Sequence, residues 1–200
     1  MCGTAALAER KVSGERPLSF VIARRAVVVG ALSLVSVGLA SAPAFAHGPS
    51  RQKVVEKIEI DAPADKVWAI VGNFQDMSWH PAVAKTEGTG GSEVGAKRTL
   101  TLKDGGKIEE EVTKLDAAGK SIAYKIDNVD VKVLPVNNYA ATITVKDNGG
   151  KSEVEWKGAF YRGFMNNDPP PELSDEAALK AVTDIYKSGL AALKAKAEGK

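Results

Sequence analysis

Residues 173–197 read LSDEAALKAVTDIYKSGLAALKAKA and carry the only long helical pattern of the chain. Apolar residues recur in this segment at the three- and four-residue spacing of one helix face. They are Ala178, Leu179, Val182, Ile185, Tyr186, Gly189 and Leu193. Ser174 fits an N-cap, and Asp175 and Glu176 follow where the helix dipole favours negative charge. The segment is therefore predicted to be an amphipathic helix with one buried face.

The residues before this helix show the two-residue alternation of half-buried strands. Strands are predicted over residues 53–60, 84–89, 96–102, 107–115, 121–127, 136–146 and 152–161. Most breaks between them are short and rich in glycine, such as Gly105-Gly106 and Gly149-Gly150, which is typical of hairpin turns. We therefore expect a curved antiparallel sheet of about seven strands.

Two short helices are expected between the first two strands. Pro63 suits the first turn of a helix whose core face holds Val67 and Trp68 and which Gly72 is placed to end. A second helical or turn segment is predicted over residues 74–83. The order strand, two small helices, six strands and long helix predicts an α+β fold in which the sheet curls round the final helix.

Residues 1–46 have the composition of a signal peptide. A mildly basic start is followed by the uncharged residues 26–46, which end in the A-x-A pattern of Ala44 and Ala46. Cleavage after Ala46 would leave one domain, residues 47–200, in the periplasm or outside the cell. An uncleaved membrane anchor is the alternative to cleavage. Arg24-Arg25 also suggests export by the twin-arginine pathway, although the surrounding residues favour the general secretion pathway.

Composition and spacing exclude several classes of function for the predicted domain. Its lysines alternate with carboxylates and do not cluster as in a nucleic-acid-binding surface. The single cysteine, Cys2, lies in the leader, so we expect neither a disulfide nor thiol chemistry. His47 and His80 are far apart in sequence, and no metal or other cofactor is expected. No membrane association is expected after signal cleavage.

A sheet curled round a helix leaves a cavity between them, and inward side chains line it. Glu110 shares a strand face with Ile108 and Val112, so it is predicted to point inward. It is either hydrated near the cavity mouth or a polar anchor for a ligand. The predicted ligand-binding candidates are Trp79, His80, Glu110, Tyr139, Trp156, Tyr161 and Tyr186.

Three residues admit more than one role. His80, beside Pro81 in a turn, could hydrogen-bond the backbone, contact a ligand or act as a general acid or base, and the first role is favoured. Phe164 and Met165 are large apolar residues in the predicted loop 163–173. They form either a contact surface for a partner protein or a lid over the cavity mouth.

Several runs carry a resemblance to a known superfamily. They are Asp61-Ala62-Pro63, Trp79-His80-Pro81, Glu110, Asn138-Tyr139 and Val154-Glu155-Trp156, together with the closing helix. In this combination the chain resembles the SRPBCC superfamily, which has the helix-grip fold of START domains, birch-pollen-type allergens and polyketide cyclases. More narrowly, WHPAVAK at residues 79–85, YRG at 161–163 and DEAA at 175–178 are similar to the MxaD proteins of bacterial methanol oxidation.

The narrower resemblance implies a non-catalytic periplasmic accessory protein. Such a protein would assist interaction or electron transfer between methanol dehydrogenase and its cytochrome c. Two alternatives remain open on the residues themselves. One is a carrier or sensor of a small apolar ligand in the helix-grip cavity, and the other is a cyclase- or hydratase-like enzyme using His80, Glu110 or Tyr139.

Overall fold

The computed structural model describes residues 48–200, so the predicted signal peptide, residues 1–46, and His47 lie outside the described residues. The strands are β1 (Gln52–Ile60), β2 (Val83–Thr89), β3 (Lys97–Leu102), β4 (Lys107–Asp116), β5 (Ser121–Val129), β6 (Val136–Asn148) and β7 (Lys151–Arg162). The helices are α1 (Ala64–Val71) and α2 (Asp175–Glu198), with a 3₁₀ turn at Pro171–Leu173. The strands form one antiparallel sheet in the order β1-β7-β6-β5-β4-β3-β2.

This arrangement is the predicted helix-grip fold, with a curved sheet packed on the long final helix. The observed strands begin and end within two residues of the predicted bounds. Alternation along β7 agrees with the sequence pattern, because residues 154, 156, 158 and 160 are buried while residues 155, 157 and 159 are more exposed.

Of the two alternatives predicted for residues 74–83, helix or turn, the structure shows turns between α1 and β2, so a second short helix is not formed there. Two side chains there bond the backbone two residues further on. The Gln75 N–H donates to Oδ1 of Asn73 at 3.2 Å, and the Ser78 N–H donates to Oδ1 of Asp76 at 2.8 Å. These Asx turns compete with helical hydrogen bonds, so the segment folds as consecutive turns.

Helix α2 has the N-cap that the sequence predicts and most of the predicted buried face, although Leu179 and Ile185 are only partly buried. The Ser174 hydroxyl accepts a hydrogen bond from the Ala177 N–H, and Gly199 ends the helix in the left-handed conformation. Its buried residues are Ala178, Val182, Tyr186, Gly189, Leu190, Leu193 and Ala197. Within residues 48–200 no helix has both the length and the apolar character needed to cross a bilayer.

The end of α2 is fastened to the start of the domain through Glu198. Oε1 of Glu198 accepts a hydrogen bond from the Asp61 N–H at 2.9 Å, and Oε2 lies 2.7 Å from Nζ of Lys200. Nζ of Lys194 donates to the Glu59 carbonyl at 2.7 Å. The ammonium group of Lys200, followed by the Asp61 N–H, lowers the pKa of Glu198 to about 2.

Replacement of Glu198 by Gln should therefore destabilise the protein in a pH-dependent way. Because the folded pKa lies below the ordinary carboxyl value of about 4.3, ionised Glu198 contributes stability above that pH. The contribution is lost as the pH falls from about 4.3 toward 2. Urea unfolding of wild type and Glu198→Gln between pH 7 and pH 3 should show the largest difference at pH 7.

The exposed Glu93, in the turn between β2 and β3, supplies a matched control. Glu93→Gln should follow wild type across the same pH range. A wild-type to Glu198→Gln difference that stays constant with pH would contradict the lowered pKa.

Candidate functional site

A cavity of about 260 Å³ lies between α2 and the inner face of the sheet. Most of its wall is apolar, with contributions from β3, β4, β5 and α2. Representative wall residues are Leu100, Leu102, Ile108, Ile126, Val182 and Ile185. The wall residues that are only partly buried mark the side on which the cavity opens, and they include Leu102, Ile126, Val133, Ala181 and Ile185.

Two glycines allow α2 to approach the sheet closely beside this cavity. A Cβ on Gly189 would lie 2.5 Å from Cδ2 of His80 and 2.9 Å from the Trp156 ring. A Cβ on Gly158 of β7 would collide with the Tyr186 hydroxyl. Because neither side chain is present, Tyr186 stacks on Trp156 with ring centroids 4.4 Å apart and planes 13° apart.

The one charged side chain that residues 48–200 place in the wall, Glu110, belongs to a buried ion pair between adjacent strands. The register of β3 and β4 places Arg98 opposite Glu110, and both residues are about 5% exposed. Nε of Arg98 lies 2.6 Å from Oε2 of Glu110, and an Arg98 Nη donates to the Phe74 carbonyl at 2.8 Å. The guanidinium carbon also sits 4.0 Å above the centre of the Phe74 ring.

Arg98 keeps Glu110 ionised in this apolar setting. Burial raises the pKa of Glu110, and the guanidinium of Arg98 opposes that rise. Arginine stays protonated in proteins, so protonating Glu110 would leave a buried cation without a partner. The wall of the cavity therefore carries a carboxylate whose charge is already balanced from behind.

His80 is buried and has both ring nitrogens engaged with the backbone. Its Nε2 lies 3.0 Å from the Ile185 carbonyl oxygen, and its Nδ1 accepts from the Ala82 N–H at 3.2 Å. A carbonyl can only accept, so the proton is on Nε2 and the imidazole is neutral. Burial lowers the pKa of His80, and the Arg98 charge lowers it further. The predicted backbone role of His80 is the one that the structure shows.

Three tyrosines and one tryptophan form a polar strip on the wall. The hydroxyls of Tyr139 and Tyr186 lie 2.6 Å apart, and the Trp156 indole N–H donates to the Tyr124 hydroxyl at 3.0 Å. Burial raises the pKa of all three tyrosines, so their hydroxyls stay protonated at neutral pH. These hydroxyls are largely satisfied by one another and by the indole.

The structure brings together five of the seven predicted cavity residues. His80, Glu110, Tyr139, Trp156 and Tyr186 all line the cavity.

The other predicted site residues do not line the cavity. Trp79 is buried behind it, where its ring centre lies 5.9 Å from that of Trp156. Tyr161 belongs to the opposite face of β7 from Phe160, so the prediction that it presents a hydroxyl to the cavity was wrong. Phe164 and Met165 are also absent from the wall, which argues against the lid role.

Arg98 and Tyr124 are the cavity-side residues that sequence reasoning missed. A signal for Arg98 existed, because it shares a strand face with Leu100 and Leu102 and is the one charged residue on that face. Tyr124 likewise shares an apolar face with Ile122 and Ile126. An isolated charge on an inward face predicts a buried partner, which the register identifies as Glu110.

The arrangement suits binding better than proton transfer. His80 is neutral with both nitrogens occupied, the tyrosine hydroxyls are protonated, and Glu110 is held by Arg98. Within residues 48–200 no group of three His, Cys, Asp or Glu side chains is placed to hold a metal ion. The chemistry that the wall offers is apolar contact plus a few hydrogen bonds.

Comparison with sequence families finds one match over most of the chain. The family described as polyketide cyclase / dehydrase and lipid transport matches residues 51–198. A search of curated proteins finds no significant match.

Solved structures with the same fold include two bacterial proteins of about 30% identity. An uncharacterised protein from Bacillus thuringiensis is 30% identical, covers 74% of this chain and 100% of its own, and has a TM-score of 0.62. The protein XoxI from Bacillus cereus is 31% identical, with coverage of 71% and 92% and a TM-score of 0.60. Norcoclaurine synthase from Thalictrum flavum is 17% identical, with coverage of 74% and 86% and a TM-score of 0.57, and shows the fold alone.

The ion pair predicts a sharp contrast between a single and a double variant. Arg98→Met leaves the Glu110 carboxylate buried without a partner, and should lower the free energy of unfolding by about 3–5 kcal/mol. Arg98→Met/Glu110→Leu replaces both charges with apolar groups of similar size and should recover most of this loss. Urea unfolding at pH 7 measures both values. Equal loss in the single and the double variant would contradict the role assigned to the pair.

Proposed function

The chain belongs to the polyketide cyclase / dehydrase and lipid transport family, and from this premise we propose that it binds a small, largely apolar molecule without transforming it. The single observation that carries the proposal is the cavity of about 260 Å³ between α2 and the sheet, with its apolar wall. Ligand sites in proteins are concave and mostly apolar, with a few polar groups that orient the ligand. The protein would act as a carrier or sensor.

The family membership confirms the wider resemblance to the SRPBCC superfamily. The narrower likeness to MxaD proteins stays a prediction, as does any role in methanol oxidation. Folds of this kind support many functions, so the function has to be inferred from the residues of the site.

A cyclase- or hydratase-like enzyme is the competing function within the family. It would need a group that can give or take a proton near the ligand. The imidazole of His80 spends both nitrogens on the backbone, and Glu110 is bound to Arg98 at 2.6 Å. These contacts favour binding over catalysis in this chain.

Blocking the open side of the cavity should abolish binding. Ala181 lines that side and is partly buried, so Ala181→Phe should place a ring in the entrance. Titration with 6-propionyl-2-(dimethylamino)naphthalene, an uncharged two-ring dye whose emission shifts to shorter wavelength in apolar surroundings, measures the affinity. We expect saturable binding to wild type and an affinity at least tenfold lower for Ala181→Phe.

Ala191→Phe supplies the matched control, because Ala191 is exposed on the same helix and does not line the cavity. This variant should bind the dye as wild type does. Equal affinity of all three proteins would show that the dye binds elsewhere and would refute the cavity as the binding site.

We propose as a second function that the exported domain assists methanol dehydrogenase and its cytochrome c in the periplasm. The sequence runs shared with MxaD proteins support this proposal, and so does one structural feature. Met165 is 41% exposed, which is high for a large apolar side chain. Binding residues lie disproportionately on loops, so an exposed apolar side chain on a loop is a candidate partner contact.

The loop that carries Met165 is held in place by one buried side chain. Nε of Arg162 donates to the Phe164 carbonyl at 2.8 Å, and an Arg162 Nη donates to the Asn166 carbonyl at 2.8 Å. Its other Nη forms an ion pair with Asp175 at 3.1 Å. Arg162 is 5% exposed, so the loop is presented in one conformation rather than left free. A preformed loop loses less conformational entropy on binding.

Replacement of Met165 by Ser should weaken partner capture if this second function is right. Immobilised domain, residues 47–200, is exposed to purified methanol dehydrogenase and cytochrome c at low salt, and the retained amount is measured. Met165→Ser should retain several-fold less than wild type. Val94→Ser, which alters another exposed apolar side chain on a different loop, should retain the wild-type amount. Undiminished capture by Met165→Ser would remove this loop from the interface.

A further inference from the structure

We infer that the cavity selects an uncharged ligand whose polar group donates a hydrogen bond to Glu110, and that it rejects carboxylates. This inference rests on the proposed ligand-binding function and names the chemical class of the ligand. Phenols and alcohols with an apolar body of one or two rings belong to this class.

The charged group that the cavity presents to a ligand is a carboxylate. Glu110 lines the cavity, whereas Arg98 does not. Arg98 lies behind the carboxylate, where it contacts Oε2 of Glu110, the Phe74 carbonyl and the Phe74 ring. A ligand therefore meets the negative partner of the pair and not the positive one.

An anionic ligand has no counterion in this wall. No Lys or Arg is among the described residues that line the cavity, and the one histidine, His80, is neutral. Burial of a charge without a partner is strongly unfavourable, and Glu110 would also repel a second carboxylate. Fatty acids and aromatic acids should therefore bind poorly.

A cationic ligand is disfavoured for a different reason. The charge of Glu110 is already balanced by Arg98 at 2.6 Å, so an added ammonium group would leave one net positive charge in the buried site. A neutral ligand avoids this cost.

Among the polar groups of the wall, Glu110 offers the strongest acceptor. The Tyr139 and Tyr186 hydroxyls bond each other at 2.6 Å, and the Tyr124 hydroxyl already accepts from Trp156. Arg98 binds Oε2 of Glu110, which leaves Oε1 as the carboxylate oxygen for a ligand. Hydrogen bonds to a charged acceptor are stronger than those between neutral groups. The geometry therefore favours a ligand that brings a donor.

The cavity volume limits the size of the apolar body. A dry apolar cavity of about 150 Å³ is large enough to hold benzene. The present cavity of about 260 Å³ has room for a second ring or a short chain beyond that.

Four naphthalene probes that differ in one substituent test the inference. They are 2-naphthol, 2-methylnaphthalene, 2-naphthoate and (2-naphthylmethyl)ammonium, titrated into residues 47–200 at pH 7 by calorimetry. We expect 2-naphthol to bind about tenfold more tightly than 2-methylnaphthalene, because it adds a hydrogen bond to a charged acceptor. The two ions should bind at least tenfold more weakly than 2-naphthol.

The double variant Arg98→Met/Glu110→Leu identifies the acceptor. It removes the carboxylate and its counterion together, and thermal unfolding shows whether it is folded. In this variant the affinity for 2-naphthol should fall to that for 2-methylnaphthalene. A preference for 2-naphthol that persists would overturn the assignment to Glu110.

The wild-type comparison tests the inference even if the double variant does not fold. Binding of 2-naphthoate as tight as that of 2-naphthol, or equal binding of 2-naphthol and 2-methylnaphthalene, would overturn the ligand class and leave the proposed function standing. If none of the four binds while 6-propionyl-2-(dimethylamino)naphthalene does, the ligand class is also overturned. If the dye fails as well, the proposed function falls with it.

Discussion

The close packing of α2 on the inner face of the sheet is the constraint on which the site depends. It is possible because Gly189 and Gly158 lack the Cβ atoms that would strike Trp156 and the Tyr186 hydroxyl. Close approach of the helix also brings the Ile185 carbonyl within 3.0 Å of His80. The same packing buries His80, the only histidine among residues 48–200, and this burial lowers its pKa. It also sets the aromatic wall of the cavity. Toward the open side, side chains do not fill the space between the helix and the sheet, and this space is the cavity.

The Arg98–Glu110 pair supplies the one charged group that the described residues place in a cavity wall that is mostly apolar. A buried ion pair is weak evidence for stability, because desolvation offsets most of the attraction between the charges. The pair instead determines which charge faces the cavity, since the Glu110 carboxylate lines the wall and the Arg98 guanidinium lies behind it. Arg98 also holds the only carboxylate that the described part of the chain contributes to the wall, so in the proposed function Glu110 would orient a ligand rather than act as a base. Family membership alone leaves both functions open.

The inward or outward direction of many site residues could be predicted from the alternation of side chains along each strand, which is a local property. Glu110 shares a face with Ile108 and Val112, and it lines the cavity as that face predicts; the structure shows it buried rather than hydrated at the mouth. The same reading would have placed Tyr161 outside, opposite Phe160, and Arg98 inside. The prediction that Tyr161 lines the cavity was therefore inconsistent with the alternation of side chains along its own strand. Residues 74–83 do not form a second short helix, also for a local reason, because Asx turns at Asn73 and Asp76 replace helical hydrogen bonds there.

By itself the sequence determined the order of strands and helices, the buried face of α2 and the inward direction of Glu110, because periodicity and caps act over a few residues. Only the tertiary structure decided which polar groups satisfy one another. Arg98 meets Glu110 through the register of two strands, His80 meets the carbonyl of Ile185 across more than a hundred residues, and Tyr139 meets Tyr186 between sheet and helix. Such pairs depend on strand register and helix docking, which arise from contacts distant in sequence and leave no local pattern.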